Sequence, residues 1–127
     1  MEKILIDSDV IIDFLRGHNE RIRVIFERIE DKKIIPCVTL INIVELYSGG
    51  DIAEKNKIDI LEELLSHFEI IDLTVDISKK ASILRRKYNL GLADALITAS
   101  CIKENIKLVT FNQKHFSKVK AINFYKI

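Results

Sequence analysis

A handful of oxygen-bearing side chains stand where apolar runs end or apolar helices begin. Asp7 and Asp9 interrupt "ILIDSDVII" with Ser8 between them, Glu45 is embedded in "INIVELY", Asp94 in "GLADALITAS", and Asn112 follows "KLVT". If Asp7, Glu45 and Asp94 meet in one low-dielectric cleft, their repulsion raises at least one pKa strongly unless a cation compensates. Oxygen ligands without His or Cys select a hard ion, so Mg²⁺ or Mn²⁺ is favoured over Zn²⁺, and such sites usually work on phosphate groups. Each acid also has a plainer reading. Asp and Ser are common where a strand ends in a loop, and Asp94 suits the first turn of a helix through the helix dipole. Glu45 is costly if buried unpaired among Ile41, Ile43, Val44 and Leu46; the alternative is projection from an exposed side of its helix.

The elements that must position these residues alternate between the two hydrophobic periods. "KILID" reads as a buried strand and "VIIDFLRG" as a short helix stopped at Gly17. "NERIRVIFERIED" carries Ile22, Ile25, Phe26 and Ile29 at helical spacing. "IIPCVT" returns to strand character, with Pro36 limiting its pairing, and "LINIVELYSGG" is a helix with Thr39 as N-cap and Gly49 as stop. Ile58, Leu61 and Leu65 form the next stripe, with the charge run "EKNK" as its solvated face. "FEIIDL" is a strand, Ile77, Ala81, Leu84 and Tyr88 mark a helix closing near Asn89 and Gly91, and "LADALITASCIKEN" is a helix buried against a sheet. "KLVTFN" is a strand with a polar turn after it, and "AINFY" supplies one more strand. Helical connections between most strands predict an α/β fold with a parallel sheet covered on both faces. Ligands then bind in the crevice outside the carboxyl ends of the strands.

The 127 residues predict one domain spanning 1–127, and 48% hydrophobic with 31% charged residues describes a folded globular chain. A formal net charge of +1 excludes an evenly basic surface for polyanions, so a nucleic acid must be held locally. The beginning lacks the pattern of a secretory signal and no apolar run reaches membrane-spanning length, which gives a cytoplasmic expectation with no membrane association. Cys37 and Cys101, inside apolar segments without CxxC spacing, read as buried reduced thiols. His18, His67 and His115 are isolated and form no triad for metal-free hydrolysis.

The order and separation of "ILIDSDVIIDFLRG", "TLINIVELYSGG" and "LGLADALITASCIKENIKLVTFNQKHF" resemble PIN-domain ribonucleases, in particular the small VapC-type toxins of toxin–antitoxin pairs. The resemblance spans almost the whole chain. It implies a PIN-like parallel sheet of about five strands flanked by helices, and an endoribonuclease dependent on Mg²⁺ or Mn²⁺. By position, Asp7, Glu45 and Asp94 match the acidic triad that binds the ion, and Ser8 a small hydroxyl residue that often follows the first Asp. Asn112 stands where many relatives have a fourth acid and would orient water or a ligand. Asp9, where relatives often have Asn, restores negative charge. The implied partners are an RNA substrate, a small cognate antitoxin protein masking the pocket, and a second copy of the chain in a homodimer. Lys114, His115, Lys118 and Lys120, and also Arg85, Arg86 and Lys87, are candidates for phosphate contact against a plainer reading as solvated surface. Two rival readings use the same acids: a haloacid-dehalogenase-like phosphatase with Asp7 as nucleophile, and a non-catalytic binding module with an acidic pocket.

Overall fold

The computed structural model describes residues 1–17, 19–53 and 55–127, with Asp51, Ala53 and Lys55 as backbone only. His18, Glu54 and the side chain of Lys55 in the "EKNK" run therefore lie outside the described residues. Strand β1 (Glu2–Ile6) leads into helices α1 (Ser8–Arg16) and α2 (Glu20–Glu30). Strand β2 (Ile34–Thr39) is followed by α3 (Leu40–Ser48), a 3-10 turn at Gly50–Ala53 and α4 (Lys55–Leu65). Strand β3 (Glu69–Ile71), α5 (Val75–Tyr88), α6 (Leu92–Glu104), strand β4 (Lys107–Val109) and the single-turn α7 (Gln113–Phe116) complete the order.

The strands pair in parallel in the order β3-β2-β1-β4, so β1 lies inside the sheet with Leu5 opposite both Cys37 and Leu108. Alternation along β1 divides the core. Ile4 and Ile6 pack with Val10, Ile22, Phe26 and Leu61 from α1, α2 and α4, whereas Leu5 packs with Ile97, Cys101 and Phe116 from α6 and α7. On that second face Ala81, Ala95 and Ala99 bring α5 and α6 together. Helices therefore cover both faces of the parallel sheet, as the alternating pattern predicts. Pro36 sits where only β1 runs beside β2, because β3 begins opposite Cys37; a missing N–H there costs no ladder on the β3 side.

The predicted helix boundaries have direct physical causes. Gly17 ends α1 in the left-handed region at φ 71°, and its N–H returns to the carbonyls of Asp13 and Phe14. Thr39 caps α3 in a capping box with Asn42. The fifth strand is a correction. "AINFY" makes one isolated parallel bridge, Leu108 to Phe124, and the described residues form a four-stranded sheet. With β4 only three residues long, the tail pairs with the sheet at Leu108 alone among the described residues, through Leu108 N to Asn123 O and Tyr125 N to Leu108 O, both 2.9 Å.

Candidate active site

Asp7 is the first residue beyond β1 and the N-cap of α1. Its N–H still belongs to the sheet, donating to Val109 O at 2.9 Å, while its carboxylate turns into the crevice. Oδ1 accepts from Ser8 N at 2.9 Å and from Asn42 Nδ2 at 3.3 Å, and Oδ2 accepts from Thr110 Oγ1 at 2.8 Å. The helix N-terminus favours the charge, yet burial pushes the Asp7 carboxyl above its ordinary range despite these donors, and the charge of Asp94 adds to the rise.

Asn42 is the hinge of this arrangement. Fully buried on α3, it accepts at Oδ1 from Thr39 N (2.9 Å) and Thr39 Oγ1 (2.8 Å), and donates through Nδ2 to Ser8 Oγ (3.0 Å) as well as Asp7. Ser8 Oγ passes the chain on, donating to Glu45 Oε1 at 2.9 Å. The two readings of Glu45 are thereby resolved: it leaves an exposed part of α3, but its carboxylate is tied down beside Ser8. Partial burial raises its pKa, Ser8 opposes the rise, and the charges of Asp7 and Asp94 reinforce it.

Asp94, in the first turn of α6, is within the field of both Asp7 and Glu45, and its Oδ2 lies 3.7 Å from His115 Nδ1. Asp9 closes the pocket on the β4 side, where its Oδ2 accepts from Phe111 N (3.2 Å) and Asn112 Nδ2 (3.1 Å). Burial, then the charge of Asp7, pushes Asp9 up to about 6, and its Oδ1 is buried without a donor. Asn112 therefore meets Asp9, and its N–H donates to Thr110 Oγ1 at 3.1 Å.

The predicted acids are thus gathered at the carboxyl edge from β1, α3 and α6. They face one another at electrostatic range: among the described residues no three acidic, His or Cys side chains are close enough to share one ion. Three of the acids are instead held by neighbours, Asp7 by Thr110 and Asn42, Glu45 by Ser8, and Asp9 by Asn112, while Asp94 lies 3.7 Å from His115. The donor set nonetheless fits a hard divalent cation. It consists of carboxylate oxygens, three of its members are raised by burial and mutual repulsion, and one buried oxygen lacks any donor.

Sequence reasoning missed Asn42 and Thr110. Their signal was weak: Asn42 lies three residues before Glu45 on one helix, and Thr110 is the polar end of an apolar strand. Among the basic candidates, Arg85 donates to Leu90 O at 3.3 Å and Lys87 lies over the Tyr88 ring, so both have local roles, while Lys114, Lys118 and Lys120 are exposed. Cys37 and Cys101 are buried free thiols, as expected. No helix among the described residues is long and apolar enough to cross a membrane.

Comparison with known proteins adds the family. The PIN domain pattern matches residues 4–122. The ribonuclease VapC10 of Mycobacterium tuberculosis is 31% identical over 122 residues, which cover 89% of this chain and 85% of that protein. A toxin–antitoxin complex from Klebsiella pneumoniae superposes with a TM-score of 0.77 at 26% identity, over 98% of this chain and 99% of the matched one. The fold is also that of a DNA-bound VapBC2 complex from Rickettsia felis, with a TM-score of 0.83 at 23% identity and 97% of each chain covered. On a pattern match that runs through nearly all of its elements, the chain belongs to the PIN-domain family.

Proposed function

We propose that the chain is a divalent-metal-dependent endoribonuclease and the toxin of a toxin–antitoxin pair, working in the cytoplasm as one domain of residues 1–127. The observation that carries this reading is that Asp7, Glu45 and Asp94, from three separate elements, come within electrostatic range of one another, where burial and their mutual charge raise Asp7 and Glu45. The kinship with a VapC ribonuclease supports RNA as substrate, and that with toxin–antitoxin complexes supports a small antitoxin as partner.

Asp7, Asp94 and Glu45 would hold Mg²⁺ or Mn²⁺. Such an ion, when bound, polarises the scissile phosphate and activates water for in-line attack. The chain's own residues supply order. Thr110 and Asn42 fix the two oxygens of Asp7, and Ser8 fixes Glu45, so these two acids present their remaining lone pairs in a set direction. Asn112, held against Asp9, stands at the rim where it can orient water or a phosphate oxygen. Exposed Lys114, Lys118 and Lys120 follow it in the chain and are the candidates to meet flanking phosphates.

The test is to incubate antitoxin-free protein with total RNA, with Mg²⁺ and with EDTA, and to map the new ends. Discrete cleavage that EDTA abolishes is expected. Intact RNA under both conditions would overturn the reading. Light scattering checks the homodimer that the family resemblance implies, and co-purification with a neighbouring small protein checks the antitoxin.

A further inference from the structure

Thr98 is fully buried in α6, and its hydroxyl has no hydrogen-bond partner. A helical hydroxyl normally satisfies itself on the carbonyl four residues back, as Ser100 does on Leu96 O at 2.8 Å in the same helix. Thr98 does not, and the residue four back from it is Asp94.

Helical side chains lean toward the N-terminus and cover the preceding turn, so Thr98 projects over the turn that carries Asp94. Cys101, three residues further on the same stripe, is near enough to Asp7 to feel its charge. The stripe Asp94, Thr98, Cys101 thus borders the acidic pocket from below. Valine would fill the same volume without a buried unpaired oxygen, so packing does not account for threonine at this position.

We propose that Thr98 is a positioning residue whose hydroxyl donates to the Asp94 carboxylate once a divalent cation draws Asp94 toward Asp7. This rests on the pocket being a cation site, as argued above. The hydroxyl is unpaired with Asp94 Oδ2 lying toward His115, and the proposed shift of Asp94 gives it a partner. Part of the cost of the orphan group is thereby recovered as cation affinity.

The experiment measures Mn²⁺ binding by calorimetry and, separately, the urea midpoint of the EDTA-treated chain, for wild type, Thr98→Val and Thr98→Ser. Thr98→Val is expected to raise the metal-free midpoint and to weaken Mn²⁺ binding about tenfold, the usual scale for a residue supporting a ligand. Thr98→Ser is expected to bind as wild type does. Wild-type affinity in Thr98→Val overturns the inference, because a hydroxyl with only a structural role shifts the midpoint and nothing else. If Thr98→Val does not fold, Thr98→Ala against Thr98→Ser gives the same decision. A wild-type chain that binds no Mn²⁺ overturns the cation site and this inference with it, whereas failure of the variants alone leaves the cation site standing.

Discussion

Replacing Asn42 with leucine, which has the same branched heavy-atom skeleton, somewhat larger volume and no polar side-chain atom, tests what holds the acidic site in shape. Asn42 is fully buried and its side chain meets four groups: Thr39 N, Thr39 Oγ1, Ser8 Oγ and Asp7 Oδ1. Two of them keep a partner in the variant, since Asp7 Oδ1 retains Ser8 N and Ser8 Oγ retains Glu45. The other two do not. Thr39 N–H and the Thr39 hydroxyl proton are left as buried donors without an acceptor, each costing about 1–3 kcal/mol, and the extra apolar burial of leucine offsets part of that. The net loss is about 2–4 kcal/mol. At a urea dependence of roughly 2 kcal/mol per molar, the denaturation midpoint falls by about 1–2 M with an unchanged slope. RNA cleavage falls as well, because Asp7 loses one of its two side-chain donors. A midpoint within about 0.3 M of wild type at equal slope would refute the reasoning, since it would mean that the Asn42 hydrogen bonds contribute almost nothing net.

Asp94→Asn is expected to abolish Mg²⁺-dependent RNA cleavage while the circular dichroism spectrum and melting midpoint stay close to wild type, because charge is lost and packing is not; full activity would remove Asp94 from the mechanism. In EDTA, the stability of wild type relative to Asp9→Asn should be greatest below about pH 3.8 and should be lost as pH rises through about 6, because the folded Asp9 carboxyl binds its proton more tightly than the unfolded one. The ceiling is about 3 kcal/mol, reduced by the solvent that reaches this part-exposed group, and urea titrations of both chains at several pH values measure it. Cys37, raised by burial to about 11, and Cys101, raised further, should react with a disulfide reagent orders of magnitude more slowly in the folded chain than in urea, followed by absorbance.

What the sequence shows well is everything decided within a few residues. Helical stripes, the Thr39 cap, the Gly17 stop and the placement of Asp7 just past a strand depend on local periodicity and backbone preference, and they survive folding unchanged. Contacts that depend on distant segments are not legible in that way. Asn42 and Thr110 matter because they reach Asp7 across 35 and 103 residues, and nothing next to either in the chain announces that meeting. The fifth strand fails for a related reason: "AINFY" has strand-like residues, but the three-residue β4 offers it a single bridge. Asp9 is half legible, since its charge is plain in the sequence while its grip on Phe111 N and Asn112 is not.

The clasp between Asp7 and Thr110 closes a loop of more than a hundred residues around the innermost part of the sheet. During translation the first of these residues leaves the ribosome long before the second is made. Until the β4 segment has been synthesised and has slotted beside β1, Asp7 lacks one of its donors and the rim carrying Asn112 does not exist. A nascent chain therefore lacks a finished acidic site, which is assembled only when almost all of the polypeptide has been completed.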